Sequence, residues 1–269
     1  MSHDTSRPVF GTREWAKYNH NCMNGCQHDC LYCYAKTSAL KHKKISKPEE
    51  WVKAEVMQGK VKRKFGKREG TTMFPTQHDM HPDNLDEILI TLEHLLVPGN
   101  DVLIVSKPHV PVIWAICNHF KQYSKQILFR FTIGSVYDKV LKFWEPNAPG
   151  FEERLVSLMI AYMMDYNTSI SCEPMLDNKI QEVVDEVRPY VTDAIWLGKA
   201  NFLEQRLREN GQATTENMKE AKKLLKWQDD DENIKTLYEY YKDDELIKWK
   251  ESIKKIVGLE IPTEDGLDV

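Results

Sequence analysis

Apolar residues along this 269-residue chain come in two alternating rhythms. Short runs with at most one charged residue, largely apolar at 101–106 (DVLIVS), 126–133 (QILFRFTI) and 193–197 (DAIWL) and mixed with hydroxyl residues at 71–75 (TTMFP) and 168–172 (TSISC), alternate with longer stretches in which apolar residues recur at helical spacing. In 82–96 the recurring positions are Leu85, Ile88, Leu89, Leu92, Leu95 and Leu96; in 150–166 they are Leu155, Leu158, Met159 and Tyr162. Stretches 110–120 and 177–187 read as helices too. Uniformly apolar runs suit strands covered on both faces, and spacings of three and four mark one face of a helix. The alternation predicts βα units joined by right-handed crossovers and a parallel sheet. One further strand is expected ahead of residue 20, at 7–10 or 15–18, which gives an α/β fold of the partial (β/α)6 barrel type.

Outside this series the pattern changes. Residues 34–42 and 49–58 read as helical pieces and 60–70 as a basic loop. Beyond Asn201 the chain is charged and helical, with apolar or aromatic positions at Leu224, Leu225, Trp227, Leu237, Tyr238, Tyr241, Ile247 and Trp249. The expected organisation is a barrel unit over 1–205 and a helical C-terminal extension, 206–269, packed on it.

Composition narrows the class only a little. The net charge of −4 does not announce a nucleic-acid binder, but its distribution is uneven. Residues 41–68 hold eleven Lys/Arg against three Glu, while the end of the chain is acidic, peaking at Asp229-Asp230-Asp231-Glu232. A basic block of this kind is either a solvated face or a surface for an anionic partner. No apolar run reaches membrane-spanning length, and the start, MSHDTSRPVFG, lacks the apolar core of a signal peptide. A cytoplasmic protein with no membrane partner is expected. In that reducing compartment clustered cysteines serve as ligands more readily than as disulfides.

Four of the six cysteines fall within twelve residues, at Cys22, Cys26, Cys30 and Cys33, in NCMNGCQHDCLYCYAK. Thiolates so close repel one another unless a positive centre holds them. Two chemistries compete: a structural zinc site using all four, or an iron–sulfur cluster held by three, with one iron left open.

The run Cys26-Gln27-His28-Asp29-Cys30-Leu31-Tyr32-Cys33 resembles the Cys-x3-Cys-x2-Cys signature of the radical S-adenosylmethionine (SAM) superfamily, with the aromatic Tyr32 before the last cysteine. Its place ahead of a βα series fits that superfamily's partial barrel, and the resemblance covers roughly 15–201. Looser similarities to the spore photoproduct lyase-like branch lie at Ser106-Lys107-Pro108, at 130–134 (RFTIG), at Trp144-Glu145-Pro146 and at 172–176 (CEPML). The chain departs from that branch at His78-Asp79, where a Pro-rich acidic turn is more usual.

The resemblance implies a radical SAM barrel in which Cys26, Cys30 and Cys33 anchor a [4Fe-4S] cluster and SAM chelates the open iron. Reductive cleavage of SAM would give a 5′-deoxyadenosyl radical that abstracts hydrogen from an unidentified substrate. It also implies an electron donor of the flavodoxin or ferredoxin type. Tyr32 is expected to pack on adenine, Gln77 or Asp79 to accept the SAM ammonium, and Ser106 and Lys107 to bind its carboxylate.

Other candidates follow from strand ends, which form the active face of parallel βα folds. Arg130 lies inside an apolar strand and needs an anion, either the SAM carboxylate or Glu173. Ser135 is placed to hydrogen-bond ribose or carboxylate, and Lys199 and Asn201 to face ribose or substrate. Strand alternation lets only one of Cys172 and Glu173 point inward. Glu173 is assigned to the site, and Cys172 is then a core residue or, in a sharper reading, a hydrogen-atom donor to a substrate radical. Cys22 is surplus to the signature: a structural thiol, a substrate-side hydrogen donor or an auxiliary ligand. Burial on a helix face accounts for Cys117.

Three function classes follow. The first is a radical SAM enzyme. The second narrows it to a lyase-like enzyme acting on a nucleotide or nucleic acid. The third is a non-catalytic zinc- or Fe-S-binding interaction protein.

Overall fold

A computed structural model describes residues 8–266. Seven strands form one sheet: β1 (Tyr18–Asn19), β2 (Thr72–Met73), β3 (Val102–Ser106), β4 (Ile127–Thr132), β5 (Asn167–Cys172), β6 (Ile195–Leu197) and β7 (Ile247–Trp249). Their spatial order is their chain order, and every neighbouring pair is parallel. Crossovers of one hand between strands in sequential order keep the helices on one face. The edge strands β1 and β7 do not pair, so the sheet stays open and is not closed as a barrel.

The expected strands are all present, and the one ahead of the cysteines is β1, in the second of the two expected places. Pro8–Phe10 form no strand, and Arg7 lies outside the described residues. Two expectations are corrected. The seventh strand lies inside the stretch read as purely helical: Ile247 and Trp249 sit opposite Ile195 and Leu197 in a parallel register. Residues 49–58 are not a helix but a 3-10 turn (Pro48–Glu50) and a strand (Glu55–Val56) paired antiparallel with Met23–Asn24. Gly25 explains this. A Cβ there would lie 2.7 Å from Trp51 O and 2.9 Å from Ala54 Cα, so the two backbones approach as only glycine allows.

Strand alternation splits the apolar residues between two layers. Val102, Ile104, Ile127, Phe129, Phe131, Ile170 and Ile195 face the helices Leu85–Leu96, Val110–His119, Phe151–Met163 and Ile180–Val187, forming the main core. Met73, Leu103, Val105, Leu128 and Trp196 face the other way, with Trp15 packed edge-on against Trp196 at 5.6 Å. Trp15 belongs to the segment before β1, which meets the segment after β7. Val9 N donates to Pro262 O (2.8 Å), Arg13 pairs with Asp265 (2.7 Å), and Glu14 pairs with Lys250 (2.8 Å).

The C-terminal helices share these cores. Leu203, Leu207, Ala221 and Leu224 pack with Leu31, Tyr32, Leu141 and Trp144, and Ile234, Leu237, Tyr241 and Ile253 join the main core. No helix among the described residues is long and apolar enough to cross a membrane.

Candidate active site

One of the side chains that tie the cysteine loop to the C-terminal ends of the strands is Asn21. Asn21 Oδ1 accepts from the N–H groups of Thr76 (2.8 Å) and Gln77 (2.7 Å), just past β2, while its Nδ2 donates to Thr76 Oγ1 (2.8 Å). From the far side, Asn210 Nδ2 donates to the carbonyls of Leu31 (3.1 Å) and Cys33 (3.0 Å). Cys33 caps the helix Tyr34–Lys41, its Sγ accepting from Lys36 N at 3.4 Å. So held, Cys26, Cys30 and Cys33 line one cavity of about 470 Å³. Burial pushes the Cys26 thiol up to about 12 and raises Cys30 and Cys33 as well. Thiolates at these positions therefore need an added positive centre. Among the described residues no three His, Cys, Asp or Glu side chains converge on a single metal-ion position. Three buried thiols lining one cavity are a donor set that fits a cluster held by three cysteines.

Polar residues after β2 and β3 form the next part of the wall: Gln77, His78, Asp79, Ser106 and Lys107. Asp79 organises them. It accepts from Ser106 Oγ, from Lys107 N (3.1 Å to each oxygen) and from Met80 N (3.0 Å), and His28 Nδ1 lies 3.2 Å away. Burial alone would raise its carboxyl, but His28 and Lys107 outweigh burial and hold it well below the usual range. Lys107 Nζ lies 4.0 Å from Glu145 and over the Tyr32 ring at 5.8 Å. Burial disfavours its charge, yet Cys30, Glu145 and Asp79 raise its pKa. Below it Glu145, fully buried, accepts from Tyr32 Oη and from Arg154 Nη2 (2.5 Å).

The opposite wall comes from β4–β6 and the C-terminal region: Thr132, Ser171, Glu173, Lys199, Asn201, Arg206 and Glu251. Glu173 points inward, as strand alternation requires, with Oε2 3.5 Å from Lys250 Nζ and Oε1 accepting from Asn201 at 3.4 Å. Lys250 also lies 2.8 Å from Glu14, so two carboxylates share one buried ammonium. Burial raises Glu173 and lifts Glu14 to about 7, although Lys250 opposes both shifts. Gly198 makes room for this cluster. A Cβ there would lie 2.9 Å from Lys250 Cγ and 3.0 Å from Glu173 Cγ. Lys199 pairs with Asp229 at 3.1 Å.

Four of the expected site residues are not brought to this cavity. Arg130 lies deeper in the concave layer, between the rings of Trp15 (4.6 Å) and Trp196 (5.2 Å). Its anion among the described residues is Asp193, at 3.1 Å, and not Glu173, with Ser169 Oγ accepting at 3.0 Å. Ser135 donates to Asp177 Oδ2 (2.5 Å) and accepts from Tyr137 N (3.0 Å), closing its own turn. Cys172 points to the helix side and is fully buried in the main core. Cys22 is fully buried there too, with Sγ 3.8 Å from His78 Nε2. Cys117 is likewise core.

Solved structures supply the comparison. The fold matches that of spore photoproduct lyase. A form of that enzyme with bound AdoMet and dinucleoside spore photoproduct aligns with TM-score 0.53 at 14% identity, covering 79% of this chain and 66% of the lyase. The lyase complexed with dinucleoside spore photoproduct gives the same values, and a point mutant aligns at TM-score 0.51. The chain thus spans just under two thirds of the lyase's length. No family model and no curated protein matches the chain.

Sequence reasoning passed over several residues that shape the site. Glu14, Lys250 and Glu251 come from the two ends of the chain, and nothing local marks them. Arg206 sits in a helix of ordinary charged composition. Glu145 stood only within the Trp144-Glu145-Pro146 similarity, where a buried role for its carboxylate has no local signal.

Proposed function

We propose that this protein is a radical SAM enzyme whose Cys26, Cys30 and Cys33 hold a [4Fe-4S] cluster. The observation that carries the reading is the three thiols of a Cys-x3-Cys-x2-Cys run lining one cavity at the C-terminal ends of a parallel sheet. When bound, such a cluster supplies the electron for reductive cleavage of SAM and so for hydrogen abstraction from a substrate. The chain's own residues bind, orient and exclude water. Lys107 offers an ammonium to the SAM carboxylate. The oxygens of Asp79 are engaged by Ser106, Lys107 N and His28, whereas Gln77 is exposed at the cavity and its side-chain amide has no partner among the described residues, so Gln77 is the better acceptor for the SAM ammonium. Tyr32 presents its ring to the cavity while its hydroxyl is fixed on Glu145, an arrangement suited to packing on adenine. Glu173 is the acceptor facing the substrate side. A low-potential carrier of the flavodoxin or ferredoxin type would supply the electron.

A nucleotide or nucleic-acid substrate is favoured by one observation. Of the eleven Lys/Arg in 41–68, all but Arg68 are exposed, and none of the ten pairs with a carboxylate among the described residues. This segment is braced on the cysteine loop, with Cys26 N donating to Trp51 O (2.8 Å) and Met57 N to Cys22 O (2.8 Å). The lyase complexes contain dinucleoside spore photoproduct, which is compatible with this reading.

The test is anaerobic reconstitution with iron and sulfide. The parent should bind about four irons and cleave SAM to 5′-deoxyadenosine, and Cys30→Ala should lose both properties. Equal cleavage by Cys30→Ala sinks the proposal. Salt-sensitive retardation of DNA by the parent, weakened in a Lys62/Arg63/Lys64→Glu variant, supports the nucleic-acid substrate; binding unaffected by salt argues against it.

A further inference from the structure

Among the described residues three cations line the cavity, and two of them have an ion-pair partner. Lys107 faces Glu145 and Lys199 faces Asp229. Arg206 has no carboxylate within ion-pair distance among the described residues; its guanidinium instead lies over the face of the Tyr34 ring, 6.0 Å from guanidinium carbon to ring centroid. Its helix explains why it faces inward. In Leu203–Glu209, the buried Leu203 and Leu207 pack against the cysteine-loop core, and Arg206, three residues after Leu203, shares their face. The helix's other charged side chains find partners on the outside, Arg208 pairing with Glu204 (2.9 Å) and Glu209 accepting from Gln205 (2.8 Å). Burial disfavours the Arg206 charge, and the main compensation is the more distant Glu173. A half-buried guanidinium kept in a cavity without a direct counter-ion is costly unless a ligand supplies one.

The mouth beside it is aromatic. Phe202, just before the helix, adopts a left-handed backbone (φ 56°) and stands 71% exposed, and Phe10 and Tyr34 are exposed there too. Exposed rings next to a planar cationic fork suit a ligand that joins an oxyanion to a flat group.

We propose that Arg206 is an oxyanion-binding residue of this cavity, its guanidinium taking a carboxylate or phosphate carried in by a bound molecule. Two sources share that chemistry: the carboxylate of SAM and a phosphodiester of the substrate. The SAM source rests on the function proposed above; the phosphodiester source does not.

The experiment compares the parent, Arg206→Gln and Arg206→Lys, all reconstituted anaerobically and checked for equal thermal midpoints. Each is titrated calorimetrically with SAM and, separately, with the dinucleotide TpT and its uncharged methylphosphonate analogue. The expected result is a loss of roughly tenfold to a hundredfold for Arg206→Gln toward one oxyanion ligand. Arg206→Lys should recover part of it, because lysine keeps the charge and loses the fork. A loss confined to SAM assigns the cofactor carboxylate. A loss toward TpT with no change toward the methylphosphonate assigns the phosphodiester. Equal affinities of parent and Arg206→Gln for both, or a parent that binds neither, overturns the proposal. A parent that binds TpT but not SAM sinks the radical SAM reading while leaving the Arg206 comparison intact.

Discussion

Arg154 Nη2 donates to Glu145 Oε2 at 2.5 Å with both side chains fully buried. Arg154 also donates to the carbonyls of Pro149 (2.8 Å) and Thr132 (3.0 Å), so the pair bolts the loop after the helix Asp138–Trp144 to the end of β4. Removing one partner leaves a bare buried charge. Arg154→Met should cost about 3–5 kcal/mol by urea denaturation. The double variant Arg154→Met/Glu145→Gln should recover part of that loss, and simple additivity of the two single losses would contradict the pairing. Glu145→Gln alone should also disturb Lys107 and Tyr32, which rest on the same carboxylate.

Cys22 is separated from the other three loop cysteines by its surroundings. Its side chain is fully buried among apolar core residues, and burial pushes its thiol up to about 12. Cys22→Ala should keep the reconstituted iron content of the parent while losing roughly 1–2 kcal/mol of stability as packing is lost. Cys26→Ala, Cys30→Ala and Cys33→Ala should each lose iron. Iron analysis alongside urea curves decides the matter, and loss of iron in Cys22→Ala would show that it is a ligand after all.

Gly198 tests the charged cluster at the cavity wall. An alanine Cβ would press on the stems of Lys250 and Glu173, and a shift of either stem disturbs a contact of Lys250, with Glu14 or with Glu173. Gly198→Ala should destabilise by about 1–3 kcal/mol. Ser171→Ala, also on this wall, leaves that contact alone and serves as the control.

Acid should weaken the fold through His20. Its ring is buried beside Phe65 (5.0 Å), its Nε2 donates to Lys60 O (3.1 Å), and burial lowers its pKa to about 4. Below about 6.5 the unfolded chain takes up a proton that the folded chain refuses. The stabilising term is therefore complete above that pH and is lost as the pH falls toward 4, by roughly 2–3 kcal/mol. His78, lowered to about 4 by burial, acts in the same sense. Glu14 acts oppositely: its raised pKa favours the folded state at low pH and gives that up as the pH rises through about 7. His20→Gln, which keeps a donor for Lys60 O, should show a shallower fall between pH 6.5 and 4.5 than the parent in urea titrations. Parallel curves would refute the assignment.

Much of the fold was legible in the residues taken in order. Strands β3, β4 and β6 announced themselves because covering both faces of a parallel sheet demands near-continuous apolar runs. The three cysteines that line the cavity were legible because their spacing is local. Strand β7 was not: Ile247-Lys248-Trp249 is three residues in a charged neighbourhood, and only hydrogen bonding to β6 makes it a strand. The stretch at 49–58 failed for the same kind of reason, since the close approach to Gly25 outweighs helical composition.

The candidate site divides along the same line. The sequence by itself determined the three thiols, the βα series behind them and the polar strand ends at Gln77, Asp79, Ser106 and Lys107, because each depends on neighbours a few positions away. Only the tertiary structure decided that Arg130 is neutralised by Asp193, that Cys22 and Cys172 belong to the core, and that Glu14, Arg206, Lys250 and Glu251 belong at or beside the cavity. A buried charge must find its counter-charge wherever the chain brings one back, and for Lys250 that partner lies at the other end of the sequence.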